Sequence, residues 1–358
     1  MQNEPDGGQR SCMRAGGGNS RKEDSYNYGA AVLKIIMSFE VVLCHYWLFE
    51  NISDIPVYLR IFNRLRMLAV PTFMIMSFYF LTNSALTKDI RVFKARIGRL
   101  LSPYIGWAVI YYIGYLILER IFDIELVGGI QDLICQLLFG NHTNLNPPLW
   151  FQADLILLTC IVFAVFYLIP ANKVFKVLFV IVFLSLWMQY SGINYKLFGE
   201  LSYEVRYTYG RVAEMAPYAC IGMALSHHKI EQKISNSRFG KIACACILLF
   251  LFRFSVFYMP ELNFGYGGLY FICIASALVL FFMVLPINRL PIKVLGMIKW
   301  FARYTPGIFC IHYGIGNLLK RNGQTGNFIQ CVIIWIISVI IAFLISKIPL
   351  KICKGLVE

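Results

Sequence analysis

Lys34 and His45 stand eleven residues apart in one apolar stretch, Lys34-Ile-Ile-Met-Ser-Phe-Glu-Val-Val-Leu-Cys-His45. Eleven steps of about 100° return a helix to nearly the same face, so the spacing puts a cation and an imidazole on one stripe, about 16 Å apart. An ionisable side chain at membrane depth is costly and marks a functional site by default. The ordinary alternative is a histidine hydrogen-bonded to a neighbouring helix. A neutral imidazole is the side chain best suited to accept a proton near neutral pH, and apolar surroundings favour its uncharged form.

Three further clusters carry the same kind of chemistry. Arg96 and Arg99, in Phe93-Lys-Ala-Arg96-Ile-Gly-Arg99-Leu-Leu-Ser-Pro103-Tyr104, are three residues apart and so neighbours on a helix surface. Paired guanidinium groups grip phosphate, although a basic anchor at the inner membrane face would contain the same residues. Asn146-Pro-Pro-Leu149-Trp150-Phe151-Gln-Ala-Asp154 leads a loop into an apolar run, and its aromatic pair also suits an interface belt. Tyr304-Thr-Pro-Gly-Ile-Phe-Cys-Ile-His312 brings a second histidine into an apolar segment, with Pro306 and Gly307 expected to loosen the helix before it. Cys44 adjoins His45, but adjacent helical residues point about 100° apart, which argues against a shared nucleophile site. The eleven cysteines show no paired spacing of the disulfide or zinc kind, and most fall in apolar runs as small hydrophobes. No metal site is expected.

The elements that must position these groups are membrane helices. Hydrophobic residues make up 58% of the 358-residue chain and charged residues 15%, which excludes an ordinary soluble domain. Ten runs reach membrane-spanning length: 30–48, 65–83, 98–118, 149–169, 172–190, 211–226, 240–258, 265–285, 302–319 and 327–348. The expected fold class is all-α, a polytopic membrane protein of about ten transmembrane helices. Residues 1–29 read as a polar, disordered cytoplasmic tail without a cleavable signal, residues 30–348 as one membrane domain, and 349–358 as a cytoplasmic C-terminal tail. The net charge of +14 is mostly a topology signal rather than a nucleic-acid footprint. Lys and Arg concentrate in the N-terminal tail, at Lys88, Arg91, Lys94, Arg96 and Arg99, in later even-numbered connections and at the C-terminus, which predicts both ends inside.

In this order and setting, the chain over about 30–348 resembles the acyltransferase-3 family of integral membrane O-acyltransferases. The family's basic residue, ten intervening positions and histidine look like Lys34 to His45, with Lys for the usual Arg. Its Val-Pro-x-Phe-Phe-x-x-Ser-Gly is similar to Val70-Pro71-Thr-Phe73-Met-Ile-Met-Ser77-Phe78, with Phe78 for the glycine. Its Arg-x-x-Arg-Leu-x-Pro-x-Tyr is similar to Arg96 to Tyr104, where proline and tyrosine are adjacent. Its Leu-Trp-Phe appears at Leu149 to Phe151, and its late Thr-x-x-Ile-Tyr-x-x-His looks like Thr305 to His312, with Phe309 for the Tyr. The resemblance implies transfer of an acyl group, usually acetyl from cytoplasmic acetyl-CoA, to a hydroxyl of a carbohydrate acceptor, a glycan or lipid-linked sugar, at or beyond the outer leaflet of a bacterial inner membrane. His45 is then the general base and His312 a second polar wall that stabilises the oxyanion. Lys34, Arg96 and Arg99 hold the coenzyme A phosphates.

The acceptor side is read from residues 191–211, where aromatic side chains alternate with charges. Trp150, Tyr203, Tyr207 and Arg211 are its expected sugar-binding residues, although an aromatic interfacial helix would look the same. The outer loop 119–148 is expected to form a cap. Glu40, Asp154, Glu214 and Arg253 lie in apolar runs without an assigned role, and Arg253 is expected to pair with one of the three carboxylates. A transporter or flippase for a lipid-linked sugar remains the alternative class, but it would usually show internal repeats, and none is visible. Nothing in the sequence decides between a monomer and a homo-oligomer.

Overall fold

The computed structural model describes residues 26–46, 67–123, 129–140, 145–190, 203–258, 269–320, 328–349 and 351–357, and among these no strand occurs. The helices are α1 (Tyr28–Tyr46), α2 (Ala69–Leu86), α3 (Ile90–Phe122), α4 (Ile130–Phe139), α5 (Trp150–Leu168), α6 (Ala171–Tyr190) and α7 (Tyr203–His227). They continue with α8 (Ile230–Ser235), α9 (Arg238–Tyr258), α10 (Leu269–Val284), α11 (Ile292–Arg303), α12 (Thr305–Lys320), α13 (Phe328–Lys347) and α14 (Lys351–Val357).

Each interval expected to span the membrane holds a helix. Among the described residues five helical segments, Tyr28–Tyr46, Ile90–Phe122, Pro147–Leu168, Leu269–Arg289 and Phe328–Lys347, are both long and apolar enough to cross one. Helix α7 has the length but carries Glu204, Arg206, Arg211 and Glu214. Helix α3 is the longest described, at 33 residues. At 1.5 Å per residue it measures about 50 Å, more than a hydrocarbon core of about 30 Å requires. Asp89 caps its start by accepting the Arg91 backbone N–H at 2.8 Å.

Helix α1 lies at the centre. It packs against α2, α10, α11, α12 and α13, so its apolar residues are needed on every side. Leu33, Met37, Val42 and Leu43 are buried, as is Glu40 at 1% exposure. Met74, Ile75, Phe78, Tyr218 and Met223 fill the interface between α2 and α7. These two helices cross closely because Gly222 offers no side chain. A Cβ there would overlap the Ile75 carbonyl and come within 3.1 Å of the Tyr79 nitrogen. On the outside, Ile333, Ile336, Ile340 and Leu344 form an exposed apolar stripe along α13, as a lipid-facing helix requires.

Three details depart from the sequence reading. The run 302–319 is not one helix, because the chain turns at Tyr304 between α11 and α12. Pro306 therefore sits in the first turn of α12, where its missing N–H is harmless, and it does not loosen the helix ahead of His312. Within the expected loop 119–148 lies helix α4, which folds back on the middle of α3, where the Tyr104 hydroxyl donates to the Gln136 carbonyl at 2.6 Å. The C-terminal residues are packed, with Leu356 and Val357 buried and the Trp107 indole N–H donating to the Leu356 carbonyl at 2.9 Å.

Gly222→Ala is expected to destabilise the fold by about 1–3 kcal/mol, since backbone rather than a flexible side chain must move to admit the methyl group. A thermal melt of the detergent-purified protein measures it. An unchanged midpoint would mean that α2 and α7 do not cross this closely.

Candidate functional site

His45 lies in the last turn of α1 and His312 in the middle of α12. The structure brings them together: their ring centroids are 5.2 Å apart with the planes at 45°. His45 is half-buried, whereas His312 is fully enclosed. The His312 Nδ1 is 3.0 Å from the Ile308 carbonyl oxygen, and its Nε2 is buried with no hydrogen-bond partner among the described residues. Phe309 and Tyr46 flank this ring, at centroid distances of 6.2 Å and 6.3 Å.

Two tyrosines hold α12 in place around His312. Tyr46 follows His45 directly, and its hydroxyl donates to the Tyr313 carbonyl at 2.7 Å. Its ring lies where a side chain at 316 would be, so only Gly316 lets α1 come this close. The Tyr111 hydroxyl, from α3, donates to the Cys310 carbonyl at 2.9 Å and accepts the Gly314 backbone N–H at 2.9 Å. A Cβ at position 314 would stand 2.8 Å from that oxygen. The same Cys310 carbonyl accepts from Asn146 at 3.2 Å, and Gln152 donates to the Cys310 sulfur at 3.4 Å. These tyrosines escaped the sequence reading because 267 residues separate Tyr46 from Tyr313 and 203 separate Tyr111 from Gly314. The glycine spacing in Tyr313-Gly-Ile-Gly316 was the available signal.

Toward the other end of α1 the predicted basic residues gather. Lys34 and Arg96 both reach α2, at Phe80 and Ser77 three residues apart, and Arg99 lies about one turn beyond Arg96 on α3. One arm of Arg96 donates to the Ser77 hydroxyl, and its Nε is buried without a hydrogen-bond partner. Lys34 sits over the Phe80 ring at 5.6 Å. Among the described residues none of the three cations forms an ion pair with a carboxylate. Clustered cations without counter-charges, one with an unmade buried donor, fit a polyanionic ligand. Ser77 was visible in the sequence only as part of a longer motif, and its bond to Arg96 gives it a place.

Trp150 and Arg211 also meet, with the guanidinium carbon 4.7 Å from the indole centroid. Arg211 is 5% exposed, and its Nε stands 3.8 Å from Asp154, which is fully buried. Its Nη2 reaches the Phe139 carbonyl at 3.5 Å. The cation facing Asp154 is thus Arg211, and Arg253, the expected partner of a buried carboxylate, is exposed. Tyr203 and Tyr207 precede Arg211 on α7, while residues 191–202 of the expected acceptor segment lie outside the described residues. Among the described residues no three His, Cys, Asp or Glu side chains converge as a metal site requires.

Compared with known protein families, residues 27–347 match the model described as an acyltransferase domain. No curated protein and no solved structure matches the chain.

The contact between Tyr46 and Gly316 is expected to be tightly coupled. Gly316→Ala should lower the unfolding midpoint through overpacking, while Tyr46→Ala should lower it through loss of a buried ring. The double variant should be less destabilised than the sum of the two, by about 0.5–3 kcal/mol, because the ring and the added methyl compete for one space. Thermal melts of the three variants check this, and strict additivity would refute the contact.

Proposed function

The chain belongs to the acyltransferase-3 family, and from that membership we propose that this membrane acyltransferase moves acetyl from cytoplasmic acetyl-CoA to a carbohydrate hydroxyl, with His45 as general base. The observation that carries the reading is the division of labour along α1. Lys34 joins Arg96 and Arg99 near one end, and His45 meets His312 at the other. The intervening helix is about 16 Å long, a distance suited to a donor whose phosphates and thioester are joined by an extended arm.

The basic cluster fits the phosphate groups of that donor. Lys34 and Arg99 would supply charge, and Arg96, already held by Ser77, would offer its unbonded Nε. At the other end His45 accepts the proton of the acceptor hydroxyl while the oxygen attacks the thioester carbon. The ester C–O bond forms, the C–S bond breaks, and His45 returns the proton to the departing thiolate. Trp150 of α5 and Arg211 of α7, with Tyr203 and Tyr207 at four-residue intervals before Arg211, form the acceptor side. The acceptor itself is a glycan or a lipid-linked sugar. In this reading both chain ends face the cytoplasm of a bacterial inner membrane, which puts the basic cluster on the side where acetyl-CoA is found.

Membranes containing the full chain, incubated with radiolabelled acetyl-CoA, are expected to accumulate alkali-labile label on envelope glycan. His45→Ala should lower incorporation about a thousandfold while leaving the melting temperature intact. Arg96→Ala and Arg99→Ala should each raise the apparent KM for acetyl-CoA about tenfold, the loss of one charge-assisted contact. Unlabelled glycan in the wild type would refute the carbohydrate acceptor. Undiminished labelling by His45→Ala would refute the base.

A further inference from the structure

His312 has one nitrogen committed and one open. Its Nδ1 lies 3.0 Å from the carbonyl oxygen of Ile308, one turn back on α12. A carbonyl oxygen only accepts, so Nδ1 carries the proton, and in the neutral ring Nε2 is left with a lone pair and no hydrogen. This nitrogen is buried without a hydrogen-bond partner among the described residues, although the whole side chain is enclosed. An oxyanion needs a donor, and His312 in this tautomer has none to offer at Nε2. The second histidine therefore does not suit the oxyanion role that the sequence suggests for it.

Of the rings that surround His312 at 5.2–6.3 Å, the nearest is another imidazole. The His45 ring stands with its centroid 5.2 Å from that of His312, which brings the facing edges within hydrogen-bonding reach after a small rotation. Resting geometries of catalytic hydrogen bonds are often longer than those of the working complex. We infer that His312 is a positioning residue whose Nε2 accepts a hydrogen bond from one N–H of His45, so that the other His45 nitrogen presents its lone pair to the acceptor hydroxyl. This deepens the proposed function and rests on His45 being the base. In the familiar hydrolase arrangement a carboxylate holds the base histidine in its tautomer. Here a neutral acceptor does so, which spares an apolar site the cost of a buried anion. The proton of the hydroxyl passes to His45 and from there to the thiolate. His312 neither gains nor loses one.

The surrounding contacts serve this geometry. The Ile308 carbonyl sets the His312 tautomer, while Tyr46 ties α1 to the Tyr313 carbonyl one residue beyond His312. Tyr111 holds the same turn from the α3 side. The two rings thus belong to elements that are pinned to each other beside the rings themselves.

Four variants of the full chain in membranes test the inference, with radiolabelled acetyl-CoA as probe and label on envelope glycan as readout. His312→Leu should lower the maximal rate about a hundredfold, the low end of what a positioned base contributes, with the KM for acetyl-CoA unchanged. His312→Gln, whose amide oxygen can accept near the place of Nε2, should recover most of that rate, which a merely space-filling role would not predict. His45→Ala/His312→Leu should be no slower than His45→Ala, because a residue that acts through His45 has nothing to orient once it is gone. A double variant slower than His45→Ala, or a glutamine variant as slow as the leucine variant with an unchanged melting temperature, overturns the inference and leaves His45 as the base. Full activity in His45→Ala would instead overturn the base assignment itself.

Discussion

Enclosure of α1 is the constraint on which the rest depends. A helix in contact with five others has no lipid-facing side, so polar groups on it are held by protein rather than expelled toward the bilayer surface. Lys34, Glu40 and His45 all ride on this one helix, and only such surroundings can keep them at fixed positions along it. Rotating α1 by one residue would carry each side chain about 100° away from its neighbours. The clasp between Tyr46 and α12 opposes that rotation, since the ring occupies the space above Gly316 and its hydroxyl engages the Tyr313 carbonyl.

Three sets of polar groups stand out in the described interior, and each is stabilised differently. At the histidines a neutral network of hydroxyls and backbone carbonyls dominates, and no charge has to be buried there. Two of the three basic residues lie in the first turns of α3 and the third on α1, and α2 contributes Ser77. The third set is a buried pair of opposite charges, Asp154 with Arg211 at 3.8 Å and not hydrogen-bonded to each other, joined by the Trp150 face and the Phe139 carbonyl. Removing either partner of such a pair is far more damaging than replacing both by apolar groups, because the survivor is left as an uncompensated buried charge. That asymmetry is sufficient reason for charges to persist in the apolar runs of α5 and α7, and it binds the short returning helix α4 to both.

Much of the fold was legible because membrane helices announce themselves one segment at a time. An apolar run of the right length needs no knowledge of its neighbours, so the intervals around residues 30–48 and 327–348 land within two residues of helices Tyr28–Tyr46 and Phe328–Lys347 at their described ends. The same local logic failed near Tyr304, where α11 and α12 are two helices whose apolar residues read as one run. It failed again for α4 and α14, which are too short to span and are held by contacts to α3. Lys34 with His45, and Arg96 with Arg99, were visible because helical spacing is a local property.

The amino-acid order alone therefore determined the class of protein, the helical intervals, the cation and imidazole on one stripe, and the family to which they belong. It could not say that His45 meets His312, that Arg211 rather than Arg253 faces Asp154, or that two distant tyrosines clasp the backbone on either side of His312. Spacing within a helix follows from 3.6 residues per turn, whereas contact between helices depends on how closely their backbones approach. That approach was settled by packing, at residues such as Gly222 and Gly316 whose part is to leave room.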